Sequence, residues 1–280
     1  MKQTVLITGA SNGIGKACAR VFARKGYDLV LVARNEEKLE QVKAEICARY
    51  DRRVEVIVMD LTWEDAAIDL YNELELRNID IDILVNNAGF GDHGAFCESD
   101  WNTQKRMVAL NITALMQLCY VFGNHMQEKQ SGKIMNIASL AGLCPGPYMS
   151  VYYATKAFVL SFSEALAEEM QSHGVKVTCI CPGPVDTGFM ETAHLQKSSM
   201  FRVFPASKAS ALAKLAVDAL MNNRTVVLQG VAGVLLNMSV RLMPRIVVRK
   251  AVALVNEKDK EDQTWHKSII MKEKRFYVFS

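Results

Sequence analysis

Seven short runs rich in Val, Ile and Leu punctuate the chain, at 4–8 (TVLIT), 28–34 (DLVLVAR), 54–60 (VEVIVMD), 81–89 (IDILVNNAG), 132–139 (GKIMNIAS), 175–183 (VKVTCICPG) and 225–230 (TVVLQG). They are nearly continuous in apolar residues rather than alternating, which is the pattern of strands covered on both faces. Between them lie five stretches of helical length and period, 13–26, 35–50, 62–76, 101–128 and 152–174. Strand–helix alternation of this kind predicts an α/β fold, a doubly wound parallel sheet with helices on both sides (a Rossmann fold). Ligands are then expected at the C-terminal ends of the strands.

Three segments fall outside the alternation. Residues 188–210 lack a clear period and read as a loop with a helical turn or two, placed to serve as a substrate lid. Residues 231–255 read as an amphipathic extension, with Arg241, Arg245 and Arg249 four apart and opposite Leu242, Ile246 and Val247, interrupted by Pro244. A helix pair covering the active-site face, or a dimer contact, is the favoured role for it. Contact with an anionic membrane surface is the other. Residues 256–280 form a tail dense in charge. The predicted organisation is one domain over 1–230, then the extension, then the tail.

Composition changes this picture little. Of 280 residues, 50% are apolar and 22% charged, and the formal net charge is +3. That gives no reason to expect a nucleic-acid partner, and no basic run with interleaved aromatics occurs. The seven cysteines form no CxxC pair and sit mostly in apolar runs, as small hydrophobes in a reduced, cytoplasmic setting would. The N-terminus does not read as a signal peptide. No uninterrupted apolar run reaches the ~18–20 residues of a span, so none is expected. The histidines show no ligand spacing, so no metal is expected.

The candidate chemistry starts after the first run, in TGASNGIG. Gly9, Gly13 and Gly15 suit a tight strand-to-helix turn whose backbone approaches a pyrophosphate, with Ser11, Asn12 and Ile14 between them. The second strand ends at Arg34, with no carboxylate before Glu36. A guanidinium there suits a 2′-phosphate, which favours NADP(H) over NAD(H), and Lys16 adds positive charge. Further on, Tyr152 and Lys156 are four apart on one helical face while Tyr153 points elsewhere. That pair alone is a weak signal.

TGASNGIG, then NNAG at Asn86–Gly89, then Ser139, then YYATK at 152–156, then PGPVDT at 182–187 together resemble the short-chain dehydrogenase/reductase family. The resemblance covers roughly residues 3–230, and the C-terminal end is most similar to a looser bacterial subgroup of general short-chain dehydrogenases. It implies that Tyr152 is the general acid/base and that Lys156 lowers its pKa and binds the nicotinamide ribose. It also implies that Ser139 hydrogen-bonds the substrate carbonyl and that Asn111 holds a water of the proton relay. Asp60 and Leu61 would lie near the adenine, and Asn87, Ala88 and Gly89 along the ribose. Pro182, Gly183, Val185 and Thr187 would fix the carboxamide. An ammonium one helical turn from a phenol should favour phenolate.

The expected function is hydride transfer between NADPH and an apolar ketone or aldehyde, reversible as secondary-alcohol oxidation. The apolar residues expected around the nicotinamide are Phe90, Leu140, Pro145, Pro147, Tyr148, Met149, Phe189 and Met190, with Met200, Phe201 and Phe204 from the loop. A 3-oxoacyl or hydroxysteroid reductase at a membrane surface is one alternative. A non-catalytic NADP(H)-sensing or scaffold protein is another. The resemblance implies a homo-oligomer, dimer or tetramer, but the Val-Asp-Gly-Gly-like segment that closes many family tetramers is missing here, which leaves the usual tetramer without its seam.

Overall fold

The structure, a computed structural model, describes residues 3–188 and 206–257. Seven parallel strands form one sheet in the order β3-β2-β1-β4-β5-β6-β9. These are β1 (Thr4–Thr8), β2 (Asp28–Ala33), β3 (Val54–Val58), β4 (Ile83–Asn86), β5 (Gly132–Ile137), β6 (Val175–Cys181) and β9 (Val226–Leu228). A two-residue pair, β7 (Val185–Asp186) with β8 (Ser207–Lys208), stands apart. The helices are α1 (Gly13–Lys25), α2 (Glu36–Arg49), α3 (Ala66–Leu76), α4 (Trp101–Glu128), α5 (Ser150–Gln171), α6 (Ala209–Met221), α7 (Gly230–Leu242) and α8 (Arg245–Asn256). β1 pairs with β2 on one side and β4 on the other. The strand order reverses there, which opens a crevice at the C-terminal ends of β1 and β4.

The core lies on both faces of this sheet. Phe22, Leu39 and Val217 fill the side under α1, α2 and α6, and Leu70, Phe122 and Val159 the side under α3, α4 and α5. Because helices cover both faces, the strands carry apolar residues in succession, as their sequences predict.

Local chemistry sets several boundaries. β2 stops at Ala33 because Asn35 caps α2, its side chain accepting from Lys38 N at 2.8 Å, with Glu36 and Glu37 in the first turn where the helix dipole favours them. Glu36 therefore belongs to the helix, and Arg34 sits in the turn. α4 is continuous but widens to a π-helical segment over Ala109–Ala114. This helix, whose bounds match the stretch read from the sequence, is long and apolar enough to cross a membrane, with a mean hydropathy of 1.3. Leu115, Leu118, Phe122 and Met126 are buried against the sheet, so its apolar side is spent on the core.

One element differs from expectation. α6 was not anticipated: residues 207–210, assigned to the loop, are instead β8 and the start of this helix, which packs on α1. It has no side-chain N-cap to announce it. The C-terminal segment divides into α7 and α8 at the interruption read at Pro244. Pro244 disfavours the helical conformation at Met243, which is extended (φ −87, ψ 144), and α7 ends there. Phe189, Met190, Met200, Phe201, Phe204 and the tail from 258 lie outside the described residues.

Beneath the crevice runs a chain of buried polar groups. Asn86 Nδ2 donates to Asn136 Oδ1 (3.0 Å), Asn136 Nδ2 to Ser163 Oγ (2.9 Å), and Ser163 Oγ to the Val159 carbonyl (2.6 Å). This ties β4, β5 and α5 together where water cannot substitute. Asn136→Ala is expected to lower the unfolding free energy by about 2–3 kcal/mol, since it strands partners in the core. Urea denaturation measures it, and a loss within error would mean that these bonds are replaceable.

Candidate active site

The crevice is held by a reciprocal set of hydrogen bonds between the turns that follow β1 and β4. Thr8 Oγ1 accepts from Asn87 N and Ala88 N, both at 3.0 Å. Asn87 Nδ2 donates back to the Thr8 and Gly9 carbonyls at 2.9 and 3.1 Å. The chain turns through Gly9 (φ +63) and Gly13 (φ +53), a region glycine enters without strain. A Cβ on Gly9 would lie 2.8 Å from Asn87 Nδ2, and one on Gly15 would overlap the Gly9 carbonyl. The cradle is thus bare backbone under the N-terminus of α1, which fits the pyrophosphate of a dinucleotide.

The cleft above has a volume of about 930 Å³. It is lined by Gly9, Ser11, Asn12, Gly13 and Ile14, by Arg34, Asp60 and Leu61, and by Asn87, Ala88 and Gly89. Ser139, Tyr152, Lys156, Pro182, Gly183, Val185 and Thr187 complete that set. Two expected residues act from behind it. Gly15 lets α1 approach β1 closely. Asn111 is buried in the π-helical segment, where its Oδ1 accepts from Phe90 N (3.1 Å) and its Nδ2 donates to the Phe90 carbonyl (2.9 Å) and Thr155 Oγ1 (3.1 Å). Asn111 therefore holds the Gly89–Phe90 backbone at the cleft wall.

At the ribose end, Arg34 lies 3.7 Å from Asp60 Oδ2, as does Arg106. Burial opposes ionisation of Asp60, yet hydrogen bonds from Thr62 N and Oγ1, with the two arginines, outweigh it and hold the carboxyl below its usual range. Arg34 is thereby oriented, and Lys38 joins it on the cleft wall. Lys38 and Arg106 were not singled out from the sequence; only the turn geometry brings them near.

Ser139 ends the β5 segment and caps the short 3₁₀ turn Leu140–Leu143, its hydroxyl accepting from Ala141 N at 3.1 Å. Tyr152 and Lys156 project from the first turns of α5, both buried. Burial pushes the Tyr152 phenol well above the usual tyrosine range, with a hydrogen bond to Ser139 pulling partly back and Tyr153 adding to the rise. The expected lowering by Lys156 is therefore not realised. Lys156 Nζ donates to the Ile137 carbonyl at 2.9 Å and sits 5.9 Å from the Tyr152 ring centroid. Its own pKa is lowered by burial to about 8, against a small opposing effect of Cys179 and Cys181. In this state the tyrosine carries its proton.

On the substrate side, Phe90, Leu140, Ala141, Cys144 and Met149 line the cleft, together with Leu236 of α7 and Ala251, Val252 and Val255 of α8. The C-terminal helices thus wall the active site. Pro145, Pro147 and Tyr148 do not border the cleft. Tyr148, at φ +66, turns away and stacks on His93 with ring centroids 6.4 Å apart. No motif or spacing pointed to Asn256, the last residue of α8. Its Nδ2 donates to the Pro147 carbonyl (3.0 Å), its Oδ1 accepts from the Tyr153 hydroxyl (3.4 Å), and its carbonyl accepts from His93 Nε2 (2.6 Å). Below the 182–187 loop, Gln229 Oε1 accepts from Gly183 N (2.9 Å) and Nε2 donates to Ser207 Oγ (2.7 Å), another link no spacing reveals.

A bare-backbone cradle at the switch point, joined to a half-buried serine and a buried tyrosine and lysine, defines an oxidoreductase on a Rossmann-type fold. A family model described as short chain dehydrogenase matches residues 3–198, and the chain belongs to that family. It is 34% identical over 207 residues to 17-beta-hydroxysteroid dehydrogenase type 3 of Rattus norvegicus, covering 71% of this chain and 66% of that protein. It is also 34% identical over 188 residues to very-long-chain 3-oxoacyl-CoA reductase of Bos taurus, covering 65% and 59%. The chain thus spans less than two thirds of the length of these relatives. A solved structure, a short-chain dehydrogenase from Sphingobium yanoikuyae in complex with NADPH, superposes with a TM-score of 0.76 at 33% identity, over 86% of this chain and 93% of that one.

The depressed pKa of Lys156 has a signature in stability. Between pH about 8 and 10.5 the folded chain binds fewer protons at this residue than the unfolded one, so stability rises with pH across that window and the gain is absent below it. Lys156→Met is expected to flatten this rise. Urea midpoints on both sides of the window measure it, and an unchanged slope would show that burial does not depress this lysine.

Proposed function

We propose that this chain is an NADP(H)-dependent reductase of bulky apolar ketones and aldehydes, reversible as a secondary-alcohol dehydrogenase. The observation that carries the reading is a proton-loaded Tyr152 hydrogen-bonded to Ser139 at the floor of a cleft walled by Phe90, Leu140, Met149, Val252 and Val255. An apolar carbonyl compound desolvates favourably in such a cleft, and a small charged oxoacid would find no cationic anchor on that side. When bound, NADPH supplies the hydride.

The chain's own groups do the rest. Tyr152, whose burial keeps it protonated, donates to the carbonyl oxygen as negative charge develops there. Ser139 donates a second hydrogen bond to the same oxygen, in a site where burial strengthens it. Asn111 acts as a positioning residue by fixing the Phe90 backbone, and Lys156 puts positive charge beside the ring that must give up its proton. Cofactor choice falls to Arg34 with Lys38, because no carboxylate ends β2 and two cations suit a 2′-phosphate. A structural relative that holds NADPH supports this preference. Relatives named for a hydroxysteroid and for a very-long-chain 3-oxoacyl thioester support large apolar carbonyl substrates.

The test is loss of reduced-nicotinamide absorbance with NADPH, and in parallel NADH, against aliphatic ketones, aldehydes, ketosteroids and 3-oxoacyl thioesters. Turnover confined to small charged oxoacids would overturn the reading. Tyr152→Phe is expected to reduce turnover at least about a thousandfold, in the range of general acid–base contributions, with NADPH affinity largely kept. Retained activity would remove Tyr152 from the chemistry. Arg34→Asp is expected to weaken NADPH selectively, by about tenfold or more given one lost charge-assisted phosphate contact. An unchanged NADPH/NADH ratio would show that the 2′-phosphate is read elsewhere.

A further inference from the structure

α7 is apolar on two opposite sides, and the fold uses only one of them. Inward, Gly233 is buried so close to Leu140 that a Cβ would lie 3.0 Å from its Cδ2, and Leu236 lines the cleft. Outward, Val231, Leu235, Met238 and Leu242 are exposed to 75%, 60%, 56% and 83%. Their spacing of four, three and four residues puts them in one stripe along the helix. Ile246 and Val247, at the start of α8, carry the exposed apolar surface past the Met243–Pro244 break. Nothing among the described residues covers this ridge.

The charges around the ridge are of one sign. Arg241, Arg245, Arg249 and Lys250 are all exposed, and no Asp or Glu occurs from Gly230 to Asn256. The chain as a whole balances 33 basic with 30 acidic residues, so this hairpin is a local exception. We infer that the outer face of α7 and the start of α8 dock on an anionic phospholipid surface, with the apolar stripe in the acyl boundary and the cations at the headgroups. α7 has 13 residues, short of the ~20 that a span requires, so the helix lies on the membrane rather than crossing it. A second copy of this chain fits less well. A two-fold contact through the hairpin would set four cations against the same four, with no carboxylate between them. The inner faces of the same helices wall the cleft, so docking would hold its α7–α8 side next to the lipid.

The test is co-sedimentation of the full chain with vesicles of phosphatidylcholine alone, and of phosphatidylcholine mixed with phosphatidylserine, at low and high salt. Binding to the mixed vesicles, weakened by salt, is expected. Each cation near such a surface contributes about fivefold in affinity, so Arg245→Gln with Arg249→Gln should lower the partition coefficient roughly 25-fold. Leu235→Asn with Leu242→Asn should lower it at least about tenfold, as their buried methylenes are lost, with the unfolding transition unchanged because both side chains are exposed. None of these four residues borders the cleft, and the readout is binding, so the result is independent of the substrate proposed above. Absence of binding to the mixed vesicles would overturn the inference, as would binding that none of these substitutions alters. A solution dimer that the two leucine substitutions dissociate, without vesicle binding, would assign the ridge to a second copy instead.

Discussion

The site depends on how β1 and β4 are joined beyond their last paired residues. The strand register between them runs only to Ile7 and Val85. Past that point a single hydroxyl, on buried Thr8, accepts two backbone N–H groups of the opposite turn, and the Asn87 amide returns two bonds to the Thr8 and Gly9 carbonyls. These four interactions seal a gap that the sheet itself leaves open at the switch point. They also bring Asn87 and Ala88 so near Gly9 that a side chain there is excluded. A glycine turn, a bare cradle and a helix aimed at the ligand are therefore consequences of one local packing constraint rather than separate features.

Burial then sets the electrostatics of the catalytic half. A phenol and an ammonium placed one helical turn apart would, in water, each favour the other's charged form. Inside the fold both are desolvated, and desolvation acts on them in opposite directions: up for the tyrosine, down for the lysine. Both shifts favour the uncharged side chain. Lys156 keeps a hydrogen bond to the Ile137 carbonyl, which anchors it to the end of β5 beside Ser139. The result is a phenol that holds its proton, beside an ammonium whose own charge is disfavoured by burial.

Much of this was legible from the chain, and the shape of the errors is informative. The apolar runs located every strand of the main sheet, yet most were read one to three residues too far at the C-terminal end. The overshoots include Arg34, Asp60, Asn87–Gly89, Ser139 and Pro182–Gly183. Those residues continue the strand's direction but leave its ladder, and they line the cleft because of it. α6 escaped notice because nothing caps its start and its apolar residues show no contrast with the preceding loop. Asn256 could not be found by spacing at all, since its partners His93, Pro147 and Tyr153 are 103 to 163 residues away. The direction of the Tyr152 shift was misjudged because a period along a helix says which side chains are neighbours, and nothing about how deeply they are buried.

The C-terminal helices illustrate how little is needed to complete such a cleft. α7 approaches Leu140 closely because Gly233 has no side chain, and Pro244 then forces the chain to turn so that α8 returns over the opening. α8 is held at its far end by Asn256, whose amide and carbonyl together engage Tyr153, Pro147 and His93. Tyr153 is the immediate neighbour of Tyr152, and their rings meet edge to face at 6.3 Å. The apolar wall of the cleft and Tyr152 are thus tied through one asparagine and one tyrosine. Any displacement of α8 must break those hydrogen bonds or carry Tyr153 with it, so the helix that shapes the apolar wall also helps fix the position of Tyr152.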